Sequence, residues 1–286
     1  MPVLNCSGRP LHYDIYVNGV MVGGEGHRPE AGTGPERPVL AMGGWGSFGH
    51  GRVRDLPRAV TTGRTVVVFD WPGIGESDLD SGRPASTRSY AQDAASLLDH
   101  LGWSSVSVVG IVGMGGAVAQ WLAVDRPDLV ERLVLSGTWA RADQYFRDQM
   151  MLELRTFLDS GFEVFQVLTA TLSFDPAFYA LNRDRIVGPA GAWSDLVDRP
   201  EALSRFVSAC VDHDTLDRLV DIAAPTWVIH AGADLITGTR LTQVLEKGIA
   251  GSRGVMIDDL PHVVAGKRAK MAFDRVIAMA LEHDLA

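Results

Sequence analysis

The sequence predicts an α/β protein with a mostly parallel, doubly wound sheet and a helical insertion. Three observations predict it. Short all-apolar runs recur along the chain with helical patterns between them, which is the mark of strands covered on both faces. The alternation stops between about residues 139 and 219, where only helical patterns occur. Hydrophobic residues make up 46% of the 286, enough for a large core.

The elements follow in order. Residues 11–17 and 20–22 flank Asn18-Gly19 and read as a hairpin. Residues 23–37 are rich in Gly, Pro and Glu and read as a loop. Residues 38–42 and 65–70 are buried strands, closed by Gly43-Gly44-Trp45-Gly46 and Trp71-Pro72-Gly73-Ile74-Gly75. Residues 90–101 place Ala91, Ala94, Ala95, Leu97, Leu98 and Leu101 on one helical face. Residues 106–110 form a strand that runs into a glycine-dense turn and a helix to about Val124. Strands follow at 133–136, 226–230 and 254–257, and an amphipathic helix at about 267–282. In the insertion, 146–158 and 202–210 have helical patterns, punctuated by Pro176, Gly188-Pro189 and Pro200. The expected division is a core over 1–138 and 221–286, with a helical lid over 139–220 above the sheet's C-terminal edge, where ligands of such sheets bind.

Bulk properties narrow the function. A net charge of −9 argues against nucleic acid or an anionic membrane as partner. No charged segment followed by an apolar run opens the chain, so no export signal is expected and the cytoplasm is the expected compartment. Cys6 and Cys210 are expected as free thiols. No metal-ligand cluster and no cofactor fingerprint is read; the glycines from Gly110 to Gly116 serve a turn, not a phosphate. A small apolar substrate is the expected partner, and a homodimer is left open.

The turn at 110–116 has the layout of Gly-x-Ser-x-Gly, in which a strand-to-helix elbow thrusts a serine from the sheet. Here the serine is missing. Alignment on Met114-Gly115-Gly116 puts Gly113 at that position, and alignment on Gly110 puts Val112 there. Neither side chain can attack a carbonyl.

Five segments in this order resemble the α/β-hydrolase family over about residues 11–282. Met42-Gly43-Gly44-Trp45 resembles its oxyanion loop, with Met42 in place of the usual His. Phe69 to Asp78 is similar to its Asp-x-x-Gly-x-Gly-x-Ser segment, and 106–119 to its elbow. Pro225 to Asp234 is similar to the strand carrying the triad acid, and Asp258 to His262 to the loop carrying the triad histidine. The resemblance implies Asp234 as the acid, His262 as the base, and backbone N–H groups of Met114 and of Gly44 or Trp45 as the oxyanion hole. A carboxylate that fixes the imidazole tautomer keeps His262 a competent base without serine. Trp45, His50, Trp139, Tyr145 and Phe146 are candidate pocket residues. Asp70 and Ser77 are expected to orient their turn and His230 to be core. Cys210 and His213 are a minor candidate for a replacement nucleophile.

Three functions are carried forward. The first is elimination or cyclisation of a small natural-product intermediate, such as loss of acetate, with His262 as base. Rewired members of the resembled family in natural-product pathways, among them enzymes eliminating acetate from acetylated tetronates, imply it. The second is hydrolysis of a reactive ester or thioester by His-activated water. The third is a ligand-binding protein without turnover.

Overall fold

The computed structural model describes residues 3–6, 9–22, 38–46, 55–79 and 82–282. Their strands form one sheet. β1 (Val3–Cys6), β2 (Arg9–Val17) and β3 (Val20–Met21) open it, followed by β4 (Val39–Met42), the short helix α1 (Arg58–Thr61) and β5 (Thr65–Phe69). Then come α2 (Thr87–Leu101), β6 (Val106–Gly110), α3 (Met114–Asp125) and β7 (Val130–Ser136). The order across the sheet is β1-β2-β5-β4-β6-β7-β8-β9, with β3 beside β2. Here β8 is Thr226–Ala231 and β9 is Arg253–Ile257. The pairs β1–β2, β2–β3 and β2–β5 are antiparallel and every pair from β5 to β9 is parallel.

Local sequence explains the elements. The β2–β3 hairpin turns at Asn18 and Gly19, with φ of 52° and 76°, the left-handed pair that Asn-Gly supplies. β4 and β6 are buried at every position, which their uninterrupted apolar runs require. Ser86 and Ser89 close a reciprocal capping box at the start of α2, and Gly102 ends that helix at φ 70°. One apolar cluster lies under α2, α3 and the insertion; a second lies between the sheet and α9 (Lys267–Glu282).

Between β7 and β8 stand α4 (Gln144–Ser160), α5 (Phe162–Ser173), α6 (Pro176–Ile186) and α7 (Pro200–Val211). Asp143 and Asp175 cap α4 and α6 through their carboxylates, and Gly161 breaks α4 from α5 at φ 87°. Among the described residues this stretch makes only an isolated bridge, Arg141 to Asp214. Several features differ from the sequence expectation. β1 was not anticipated: four residues gain a partner only when β2 lies beside them. β7 begins at Val130, three residues early, because Glu131 and Arg132 interrupt its apolar run. α5, α6 and α8 (Gly238–Gly248) carry weak or glycine-led signals and were not read.

Asp70 and Ser77 hold their turn as expected. Asp70 Oδ2 accepts from Glu76 N–H at 2.9 Å, and Ser77 donates to the Asp70 carbonyl at 2.9 Å. His230 is buried between Thr242 and Glu246, at 2.7 and 2.8 Å. Cys210 is a buried free thiol, and Cys6 is buried too. Among the described residues, no helix is long and apolar enough to cross a membrane.

At the elbow the close approaches are backbone on backbone. A Cβ on Gly110 would lie 2.5 Å from Gly116 Cα, and one on Gly115 2.5 Å from the Met42 carbonyl. Gly110→Ala is therefore expected to cost about 1–3 kcal/mol or more, measured by urea unfolding. Gly102→Ala has open space around it and loses only through its positive φ, about 1–2 kcal/mol.

Candidate active site

Asp234 and His262 stand on the loops that leave β8 and β9. Backbone bonds lace the two loops together: Gly232 N–H donates to the Ile257 carbonyl, and Ala233 N–H to Leu260, each at 3.0 Å. His262 Nδ1 meets Asp234 Oδ2 at 2.9 Å. That oxygen also accepts from the Thr237 hydroxyl at 2.5 Å, while Oδ1 accepts from the N–H groups of Ile236 and Thr237 at 2.8 and 2.9 Å. Burial alone would push the Asp234 carboxyl up. The His262 ring, by charge and hydrogen bond, and the Thr237 hydroxyl and N–H outweigh it and hold the group at about 2. An ionised Asp234 accepts a hydrogen bond from Nδ1–H, so Nε2 is the ring's free acceptor.

Nε2 faces the elbow. Gly113 has φ 60° and ψ −126°, and its N–H donates to the Gly137 carbonyl at 2.8 Å. A Cβ on Gly113 would lie 3.8 Å from His262 Nε2 and 3.8 Å from Gly44 Cα. Of the two alignments, Gly113 is thus the one whose side-chain direction meets the imidazole. Val112 lines the same cavity beside Gly44. Gly137, unremarked in the sequence, is packed behind the pair: a Cβ there would sit 3.5 Å from both Asp234 Oδ2 and His262 Nδ1.

Met114 is the first residue of α3, so its N–H has no intrahelical acceptor and lies at the helix's positive end. The loop after β4 is held by the Trp71 indole, which donates to the Gly44 carbonyl at 2.7 Å. Gly44, Trp45, Gly113, Met114 and His262 all line one cavity of about 60 Å³.

Trp139 and Phe146 line it too, with ring centres 4.3 Å apart. Tyr145 does not. It is 64% exposed and lies under the Arg240 guanidinium, since Phe146 and not Tyr145 falls on the buried face of α4. His50 lies outside the described residues. Cys210 reaches the cavity, but burial pushes its thiol up to about 12 against a hydrogen bond from Trp45, so it is no thiolate nucleophile. His213 is sealed beneath, bonded to Thr87 at 2.7 Å, and burial pulls it down to about 3.

Sequence reasoning missed the polar group on the opposite wall: Glu153 on α4, with Thr169 and Ser173 on α5. A signal existed. Glu153 interrupts the stripe Phe146, Met150, Leu154, Phe157 that α4 buries. The Thr169 hydroxyl donates to Glu153 Oε2 at 3.0 Å, while Oε1 and the Ser173 hydroxyl are buried without a partner. The N–H of Val263, next to His262, donates to the Ser173 carbonyl at 2.9 Å. Among the described residues no three His, Cys, Asp or Glu side chains converge as a metal set.

This strand order, elbow and Asp–His pair define an α/β-hydrolase architecture. Residues 38–266 match the family model of the alpha/beta hydrolase fold, and the chain belongs to that family. It is similar to the protein of Azorhizobium caulinodans named "Putative carbamate hydrolase RutD", 28% identical over 265 residues and 90% of each chain. It is similar also to the pimeloyl-[acyl-carrier protein] methyl ester esterase of Neisseria meningitidis, 28% identical over 79% of this chain and 71% of that one. The enol-lactonase structure from Burkholderia xenovorans superposes with a TM-score of 0.80 at 21% identity, covering 99% and 100% of the two chains, and shares the fold.

The Asp234 carboxylate fixes a pH dependence. Its folded-state value lies below the ordinary one of about 4, so its stabilisation is present above pH 4 and is lost as the pH falls through 2. Wild type is expected to lose about 2–3 kcal/mol between pH 5 and pH 2 that Asp234→Asn does not lose, read from urea unfolding across that range.

Proposed function

We propose that this chain is a hydrolase that works without a covalent intermediate. One observation carries the reading: an imidazole oriented by a buried carboxylate faces a residue with no side chain, 3.8 Å from where its Cβ would stand. A water between Gly113 and His262 is the nucleophile. Nε2 takes its proton as the oxygen attacks the carbonyl carbon, and the N–H groups of Met114 and of Gly44 or Trp45 hold the oxyanion. The names of the two curated relatives, a carbamate hydrolase and a methyl ester esterase, favour hydrolysis over the elimination that the sequence alone put first. A base–water mechanism forgoes covalent catalysis, so an activated ester, thioester or carbamate is the fitting class. Residues 139–220 act as the lid over the cavity.

The apolar wall of Trp45, Trp139, Phe146, Met150, Trp193 and Ile236 favours a second reading. A largely apolar wall suits proton removal beside a carbonyl, an enolate held by the same N–H groups, and departure of a carboxylate such as acetate. Reaction in ¹⁸O-water separates the two: hydrolysis places one ¹⁸O in the acid product, whereas elimination places none.

His262→Ala is expected to lower kcat/KM at least a hundredfold; near-full activity would sink both readings. A serine-directed fluorophosphonate is expected to leave wild type unlabelled. Gly113→Ser sets a hydroxyl within reach of Nε2 and is expected to be labelled, at a stability cost of about 1–3 kcal/mol for the positive φ. Labelling of wild type would show a nucleophile elsewhere.

A further inference from the structure

We propose that Glu153 is the general acid of this site, delivering a proton to the oxygen of the leaving group while His262 takes one from water. The inference rests on the hydrolytic reading above.

Its geometry sets it apart from an ordinary helix carboxyl. Glu153 is 1% exposed on the inner face of α4, in the same small cavity as Gly113 and His262. The elbow and His262 stand on loops at the sheet's edge; Glu153 comes from the helical layer above. The cavity is small, about 60 Å³, and Gly113, His262 and the α4 residue Glu153 all line it. One carboxyl oxygen is anchored by Thr169, which leaves the other fixed in place and without a partner. A buried polar atom in that condition costs about 1–3 kcal/mol, which no packing role of Glu153 explains. The unpartnered Ser173 hydroxyl lines the same wall and can orient the group that Oε1 meets.

The protonation state suits the role. Burial pushes Glu153 up to about 7, against the pull of the Thr169 hydroxyl and the His262 charge. The helices packed on α4 are α5 and α7. They bring to Glu153 the hydroxyls of Thr169 and Ser173 and the Cys210 thiol, which stays neutral. His262 lines the same cavity. The carboxyl thus enters the cycle as an acid near neutral pH, while the dyad's Asp234 remains ionised.

The protons balance. As water attacks the ester carbon, a C–O bond forms and one proton passes to Nε2. As the tetrahedral intermediate collapses, the bond to the leaving oxygen breaks, and that oxygen takes the Glu153 proton and departs as an alcohol. Imidazolium and carboxylate then face each other across the cavity, and transfer between them through a water restores both.

A leaving group that needs no proton should not need Glu153. The test measures kcat/KM on 4-nitrophenyl butyrate and on n-butyl butyrate for wild type, Glu153→Gln, Glu153→Asp and His262→Ala. Glu153→Gln keeps a partner for Thr169. It is expected to lose about a hundredfold or more on the butyl ester and less than about threefold on the nitrophenyl ester. The alkaline limb of the butyl-ester pH profile should vanish with it. Glu153→Asp keeps an acid and is expected to fall between Gln and wild type on the butyl ester. Equal losses on both esters, or an unchanged alkaline limb, overturn the acid role while leaving the base role of His262 intact. Undiminished activity of His262→Ala on both esters, or cleavage of neither ester by wild type, overturns the hydrolytic reading and this proposal with it.

Discussion

The close approach of α3 to the ends of β4 and β6 is the constraint on which the rest depends. Gly115 lies under the carbonyls of Met42 and Gly43, Gly116 lies against Thr138, and Gly110 lies against Gly116. No side chain fits at these points. Because the backbones touch, the first turn of α3 points its free N–H groups into the space above β4, and the elbow residue is thrown to the top of the sheet. The position of Gly113 and its separation from His262 follow from that contact. The glycines that look like surplus in the sequence keep three backbones within van der Waals reach.

The second constraint is electrostatic. Asp234 is buried, yet its two oxygens accept three local bonds from Ile236 and Thr237 besides the one shared with His262. Those bonds hold the carboxylate ionised where burial alone would neutralise it. The contrast with Glu153 is instructive. Glu153 has one hydroxyl partner and a largely apolar wall, and it is pushed the other way. Two carboxyls in one site are thus pushed in opposite directions by their partners.

Much of this was legible in the sequence. Apolar runs marked β4, β5, β6 and β8 because strands buried on both faces need them. Asp234 and His262 were legible because five weak motifs fell in order. Tyr145 and Glu153 show where pattern reading failed. Tyr145 was judged by its aromatic character, but its place on α4 turns it outward. Glu153 drew no reading, although its spacing from Phe146, Met150 and Phe157 puts it on the buried side. Whether Gly113 or Val112 topped the elbow depended on backbone angles that no spacing fixes. The helices α5 and α6 gave little signal of their own, and their place is set by what they cover.

The bond from Val263 N–H to the Ser173 carbonyl joins the histidine's own loop to the C-terminal end of α5. The polypeptide that carries the base is thereby stitched to the helices that roof the cavity. The Ser173 carbonyl is thus the point at which the helical layer fixes the backbone beside His262, so the imidazole's place above Gly113 depends on a helix far from it in sequence.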